Sequence, residues 1–449
     1  MLWHAGDMPE SIPDVTELLS RLIRFDTSNY GAGRSAGERE CAEWIAELLR
    51  QAGWQPSLWH RPEAPERTSV LLRVPGTDAD LPGLLVHAHT DVVPVEVDDW
   101  SVAPFEGIIG DGYVWGRGAN DMLDTVSVVL HTLLVWGRNG TRPRRDVVFL
   151  FVADEEDAGL WGAHWLVEEH PELFDGIQVA IGESGAVCEV LPTADGGSAR
   201  VYTINAGERG THHIRLTAQA ASGHGSRPSG QDAINRLLHA LVRIADHQWP
   251  LTLSDVVRGQ YQGLADALGL SVDVEDEASL LRLVDWLGDQ AGPLRYTLRP
   301  SSTPTVLSAG YKVNVVPGLA TAEVDVRCPP GTEDLVRQTL AELVGDQVDY
   351  EYITQGAPLE SPTSGPWWDA MCDSIRAHDP DAVIVPGCMG GGTDNKAFDK
   401  LGMATYGFTP APADPEGRVA AGYHGVDERV PVASLVGATE MMRDFLENV

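Results

Sequence analysis

His89 and Asp91 close an apolar run, Leu84-Leu85-Val86-His87-Ala88-His89-Thr90-Asp91-Val92-Val93-Pro94. Downstream come Gly116-Arg117-Gly118-Ala119-Asn120-Asp121-Met122, then Ala153-Asp154-Glu155-Glu156, Gly182-Glu183-Ser184, and a late His424. Each polar group follows an apolar run or sits in a glycine-rich turn. Two imidazoles and several carboxylates form the ligand set that suits a pair of zinc-like ions. Carboxylates next to buried strand ends need a counter-charge, because an unpaired buried carboxylate is costly. A bound cation supplies one.

Each group also has a plainer reading. In an extended segment positions i and i+2 share a face, so Asp91 is placed to reach the His89 imidazole and fix its tautomer. Read alone, His89-Thr90-Asp91 is a strand end with a polar turn. His87 lies on the same face and reads as a packed core histidine. The glycines before Asp121 let the chain turn sharply and approach an ion. The Asp121 carboxylate has two oxygens and can bridge two cations; its plain alternative is an N-cap for the helix around Thr125. Glu155 and Glu156 repel each other unless one binds metal and the other takes up a proton. That division suits hydrolysis, with one ligand and one general base of raised pKa. The alternative is a solvated acidic loop. Glu183 and His424 are weak signals singly; the combination is what chance does not supply.

The elements that carry these groups read as α/β. Residues 14–53 form two helices around Asp26-Thr27-Ser28-Asn29-Tyr30-Gly31, the first with Leu18, Leu19, Leu22 and Ile23 on one face. Runs 70–74, 84–89, 147–153 and 179–182 are short and continuously apolar, as strands covered on both faces should be. Helices at 125–136 and 161–169 separate them, and the ligand candidates fall at strand ends, where open sheets place their sites. Near Gly207 the pattern changes. Strand 212–219, helix 232–247, strands 305–316 and 321–327, helix 333–344 and a strand near 348–354 make the β-α-β-β-α-β order of a ferredoxin-like domain. An acidic helical stretch, about 254–290, interrupts it. The α/β pattern then resumes with a helix at 368–378, a strand at 382–386 and a closing helix at 432–447. The expected division is a catalytic domain in two parts, 1–206 and 357–449, with an inserted domain at 207–356.

A chain of 449 residues with 43% hydrophobic side chains has ample core for two or three domains. Its 66 acidic against 32 basic residues give a formal charge of −34, which argues against nucleic acid and against an anionic membrane as partner. Cys41, Cys188, Cys328, Cys372 and Cys388 show no Cys-x-x-Cys spacing, so free thiols in a reducing cytoplasm are expected. The segment 1–13 lacks the basic cluster and apolar core of a signal peptide. No apolar run approaches the ~18 residues of a membrane span. A cytoplasmic protein is expected.

With these residues in hand, the chain resembles the co-catalytic di-zinc metallopeptidase family twenty, the family of aminoacylases, glutamate carboxypeptidases, dipeptidases and succinyl-diaminopimelate desuccinylases. The likeness runs from the 84–94 block to Gly422-Tyr423-His424-Gly425-Val426-Asp427-Glu428. It implies a zinc-peptidase-like catalytic domain, a mixed sheet flanked by helices, with an inserted ferredoxin-like α+β domain acting as lid and dimerisation surface. It further implies that His89, Asp121 and Glu183 hold one zinc ion and Asp121, Glu156 and His424 the other, cobalt or manganese being possible substitutes. Glu155 is then the general base and Asp91 the partner of His89. His224, within Ser222-Gly223-His224-Gly225-Ser226-Arg227-Pro228, matches the residue that polarises the scissile carbonyl, often from the neighbouring subunit of a homodimer. Asn314 and Arg327, on paired strands, match the binders of the substrate carboxylate, and Gly391, Gly392 and Thr393 the glycine-rich substrate loop. Plainer readings remain: Gly223-His224-Gly225 as a turn, Arg327 as the partner of an acid.

The chain departs from the pattern at Leu123-Asp124, where many relatives carry Lys-Gly, and at Lys396, where some carry Arg. These departures bear on substrate preference. The expected function is metal-dependent cleavage of an amide or peptide bond next to a free carboxylate, releasing an amino acid as a carboxypeptidase or dipeptidase does. The substrate is then a small peptide; for an aminoacylase or desuccinylase it is an N-acyl-amino acid. A catalytically silent metal- or ligand-binding relative is the reading from another class.

Overall fold

The computed structural model describes residues 12–227 and 230–449. The start read as lacking a signal peptide falls largely outside the described residues, as does Pro228 of the His224 segment. The chain divides into two compact units. One runs to Ala206 and takes up Ser361–Val385 and Thr393–Val449; the other comprises Gly207–Glu360 and Pro386–Gly392.

The first unit is built on a mixed sheet. Its strands lie in the order Cys188–Pro192, Ser198–Glu208, Ala404–Gly407, Ile177–Gly182, Gly83–His89, Val147–Val152, Ser69–Val74, Ser57–Trp59. The four central strands, from Ala404–Gly407 to Val147–Val152, are mutually parallel, and the flanks are antiparallel. Gly83–His89 and Val147–Val152 are buried at every position, which is why their sequences are unbroken apolar runs. The helix Leu123–Asn139 packs against Val15–Ile23, Arg39–Gln51 and the terminal helix Val432–Asn448. Opposite, Trp165 and Leu166 of Ala163–Glu169 and Phe398 of Asn395–Asp399 join Leu85, Val148 and Leu150 in one apolar cluster. The expected mixed α/β sheet flanked by helices is therefore present.

Parallel order has a direct consequence for chemistry. Three neighbouring strands, Ile177–Gly182, Gly83–His89 and Val147–Val152, all end at the same edge. Glu183, His89 and the 154–156 turn are thereby gathered from distant sequence. A second device brings in the remaining groups. Arg429–Pro431 pairs antiparallel with Tyr113–Trp115, so the 116–122 loop that follows one and the 420–428 loop that precedes the other share one end.

The second unit has the β-α-β-β-α-β order: Ile214–Gln219, Ala233–Asp246, Ser301–Ala309, Leu319–Cys328, Glu333–Val344, Asp349–Tyr352. Its main strands are antiparallel neighbours, with Leu319–Cys328 and Ile214–Gln219 in the centre. Leu319–Cys328 alternates buried and open positions, and its buried face meets Leu237, Ile244, Val336 and Leu340 of the two helices. The acidic stretch adds helices Asp255–Leu268 and Glu277–Leu287, capped by Ser254 and Asp276. One sequence expectation is corrected here. The strand read as 305–316 ends at Ala309, and Asn314 sits in an exposed turn before the short strand Val315–Val316, which pairs with Gly223–His224. Asn314 and Arg327 are therefore not on paired strands.

Candidate metal centre

His89, Asp121, Glu155, Glu156, Glu183 and His424 converge in the first unit. His89 Nε2 lies 3.2 Å from Asp121 Oδ1 and 3.0 Å from Glu183 Oε2. His424 Nε2 lies 3.0 Å from the other Asp121 oxygen and 3.3 Å from Glu156 Oε1. Asp121 thus turns one oxygen to each imidazole, the arrangement a bridging carboxylate requires. Two triads have ligand atoms close enough to share an ion, His89–Asp121–Glu156 and His89–Glu155–Glu183. Glu156 Oε1 and Glu183 Oε2 are buried with no partner other than those imidazole nitrogens. Buried carboxylates need compensating charge, and four clustered carboxylates with two imidazoles fit a pair of divalent cations.

The electrostatics describe the centre before cations enter. Burial alone would lower the His89 pKa, but Asp121 and Glu183 hold it well above its ordinary value. His424 is raised to about 10, first by its contact with Asp121 and then by Glu156. Burial raises Glu183 to about 7, against the pull of His89. Glu155 is pushed well above the usual carboxylate range by burial and by the charge of Glu183. Asp121 goes the other way: burial opposes ionisation, and the two imidazoles still hold it well below the carboxylate range.

Asp91 differs from its expected role. His89 Nδ1 is 2.9 Å from the Asp91 main-chain oxygen and 3.7 Å from its carboxylate. The Asp91 carboxylate instead accepts the backbone N–H groups of Glu155 and Glu156, each at 3.1 Å, and the Asn29 amide at 2.9 Å. It cradles the turn that presents both glutamates. Asp121 is not a cap: the helix starts at Leu123 after Met122, and Asp124 accepts the Thr125 N–H. His87 is a core histidine as read, buried at 2.9 Å from Asn395 Oδ1 against the Phe398 ring, and burial lowers it to about 4.

The remaining expected residues are placed elsewhere. His224, Asn314 and Arg327 belong to the second unit, as do Gly391 and Gly392, while Thr393 belongs to the first. His224 is exposed, and its Nδ1 receives Ser226. The Gly225 N–H donates to the Asn314 carbonyl, so His224 and Asn314 are neighbours. Arg327 grips Asp325 at 2.7 and 3.1 Å and Thr211 at 2.9 Å, the acid pairing that was the plainer reading. Thr393 Oγ1 accepts the Asn395 N–H at the start of a short helix.

Several contributors were missed. Glu428, buried in the quoted late motif, accepts the N–H groups of Gly118 and Asn120 and pairs with Arg117 at 2.6 Å, fixing the loop that delivers Asp121. Asp394 is buried with Oδ2 unpartnered, and burial pushes its carboxyl well up. Arg67, Asn29 and Asp154 surround Asp91. Glu428 lay inside a quoted motif; Arg67 stands in no pattern at all.

Known proteins share this architecture. The N-fatty-acyl-amino acid synthase/hydrolase of Mus musculus is 26% identical over 97% of this chain and 87% of its own. A metallo-carboxypeptidase from Sulfolobus solfataricus superposes with a TM-score of 0.70 at 16% identity, over 97% of this chain and 99% of that one. A Bacillus subtilis protein described as a dinuclear metal binding peptidase gives 0.59 at 13%, over 97% and 99%. The sequence profile of Peptidase family M20/M25/M40 matches residues 85–448, and the chain belongs to that hydrolase family.

Proposed function

We propose that this chain is a co-catalytic two-metal hydrolase that cleaves an amide bond whose nitrogen side carries a free carboxylate, releasing an amino acid. The observation that carries the proposal is the split of Asp121, one oxygen toward His89, which also meets Glu183, and the other toward His424, which also meets Glu156. His89, Asp121 and Glu183 would hold one ion, and Asp121, Glu156 and His424 the second. Zinc suits this N/O set, as do cobalt and manganese. Bound there, the ions would supply Lewis acidity, acidifying water toward a pKa of ~7 and polarising a carbonyl.

The chain's own residues do the proton work. Glu155 has a carboxyl of raised proton affinity and a backbone N–H fixed by Asp91. It takes the proton of the attacking water and returns it to the leaving amine. Glu156, its neighbour, stays a ligand. In the second unit, His224 is proposed as donor to the carbonyl oxygen, and Asn314 and Arg327 as holders of the carboxylate, with Gly391, Gly392 and Thr393 lining the substrate. Arg327 has to exchange Asp325 for that ligand. The second unit is proposed as lid and homodimer surface, and the protein as cytoplasmic. The acyl half is a peptide in the first reading. The near full-length similarity to an N-fatty-acyl-amino acid hydrolase favours an N-acyl group as the second.

The test is Glu155→Gln on metal-loaded protein, with dipeptides and N-acyl-amino acids in parallel. The expected result is retention of both metal equivalents and a loss of about 10²–10⁴-fold in kcat, the usual worth of a positioned base. Wild type that binds two metals and hydrolyses neither substrate class would establish the silent reading instead.

A further inference from the structure

Beneath the 154–156 turn lies a buried ionic cluster of which the proposed steps use Asp91 alone. Glu38, Arg67, Asp91 and Asp154 have side chains no more than 4% exposed. Arg67 Nη2 is 2.6 Å from Asp154 Oδ1, 3.0 Å from Glu38 Oε1 and 3.9 Å from Asp91 Oδ2. Asn29 Nδ2 bridges the same two aspartates, at 2.9 Å to Asp91 and 3.2 Å to Asp154. Asp154 holds the far side of the loop: its Oδ2 accepts the Trp161 N–H at 2.8 Å and its carbonyl the Gly159 N–H at 2.7 Å.

Asn29 is itself anchored. Its N–H donates to the Val92 carbonyl, the Val92 N–H to the Thr27 carbonyl, and Thr27 Oγ1 to the Thr90 carbonyl. The Glu38 and Arg39 N–H groups both donate to the Glu66 carbonyl, next to Arg67. The segments 27–29 and 38–39 and residues 66–67 thus form a brace clamped onto the loop after His89. All three precede residue 85, where the family profile begins to match.

From this geometry we infer that Arg67, shared with Asn29 and Glu38, is a positioning residue that holds the Asp91 and Asp154 carboxylates together and so fixes where Glu155 and Glu156 point. Two buried aspartates on one asparagine repel each other without a cation between them. Asp91 carries both backbone N–H groups of the glutamate pair. If the aspartates separate, the glutamates move. The ion-pair partners of Arg67 are Glu38, Asp91 and Asp154, none of them among the proposed metal ligands, so it acts through Asp91 and Asp154. A guanidinium suits the task, since one fork spans several oxygens in fixed geometry.

The inference rests on the proposed two-metal reading, and the experiment separates the two. Arg67→Met and Arg67→Lys are compared with wild type by circular dichroism, zinc titration by calorimetry, and separate kcat and KM. Partners behind metal ligands are worth about 10–100-fold in affinity or activity. Arg67→Met should keep its fold, lose that much affinity in the weaker zinc equivalent and in kcat, and leave KM within about twofold. Arg67→Lys should recover part of both. If Arg67→Met does not fold, Asn29→Ala, which removes one neutral bridging side chain, should give the same pattern more weakly. Folded Arg67→Met or Asn29→Ala with wild-type zinc affinities overturns the inference whatever the activity. Wild type that binds no zinc overturns the function reading first.

Discussion

Replacing Asp91 by asparagine isolates the turn that carries Glu155 and Glu156. The side chain keeps its volume and loses one acceptor oxygen. At present Asp91 Oδ1 accepts the Glu155 N–H, and Oδ2 accepts the Glu156 N–H together with the Asn29 amide. An asparagine can satisfy only one side; its own NH2 then faces donors on the other. With the amide oxygen at the Oδ2 site, which keeps two of the three donors, the Glu155 N–H faces the NH2 and loses its acceptor. A hydrogen bond to a charged group is worth about 1.5–3 kcal/mol, which is the strain if nothing moves. The turn will move to relieve it. We therefore expect a stability loss no larger than that, about 1–3 kcal/mol by urea unfolding, and a functional one of about 10–100-fold in metal affinity at the Glu156 side and in kcat. Calorimetric zinc titration and steady-state kinetics on the same preparation measure both. An Asp91→Asn protein that is destabilised but binds zinc and turns over within twofold of wild type would show that the turn does not need Asp91.

Three further outcomes are expected. His89 and His424 hold protons against nearby carboxylates, His424 to about 10, so protons must leave as cations enter; zinc affinity should rise with pH across the neutral range, with proton release detectable in weak buffer. Gly182→Ala places a Cβ 2.1–2.2 Å from the His87 ring, so we expect a loss of about 1–3 kcal/mol in urea unfolding. Asp379 takes the Arg200 fork at 2.6 and 2.7 Å and the Tyr202 hydroxyl, and Arg200 holds its carboxyl below the usual value. Its folded pKa lies below the unfolded one, so its contribution is present above the unfolded pKa and lost as pH falls through the folded one; Asp379→Asn should cost about 1–3 kcal/mol at neutral pH and flatten the acid limb of a stability–pH curve.

How far the sequence could be read depended on whether the signal was local. Strands 84–89 and 147–153 announced themselves because both faces are covered, and their ends marked His89 and Glu155–Glu156. The helix around Thr125 was legible from its apolar run, but its start was not. Asp121 looked like an N-cap, whereas the chain reaches the helix through Met122 and gives the N–H contact to Asp124. Asn314 failed for a similar reason: residues 305–316 read as one strand, and the turn before Val315–Val316 has no proline or asparagine–glycine pair to announce it. Arg67, Asn29 and Glu38 were invisible for a different cause. Their partners lie 62 to 125 positions away for Asn29 and 24 to 87 for Arg67, and one arginine or asparagine has no period. All five cysteines are free thiols, four of them buried and Cys188 half-buried.

Two cations meeting at Asp121 are the core of the proposed chemistry, and anomalous scattering from crystals of zinc-loaded wild-type protein would locate them. The predicted result is a pair of peaks on either side of that carboxylate, one within ligand distance of His89 and Glu183, the other of Glu156 and His424. A single peak that leaves His424 uncoordinated, or none at this place in fully loaded crystals, would contradict it.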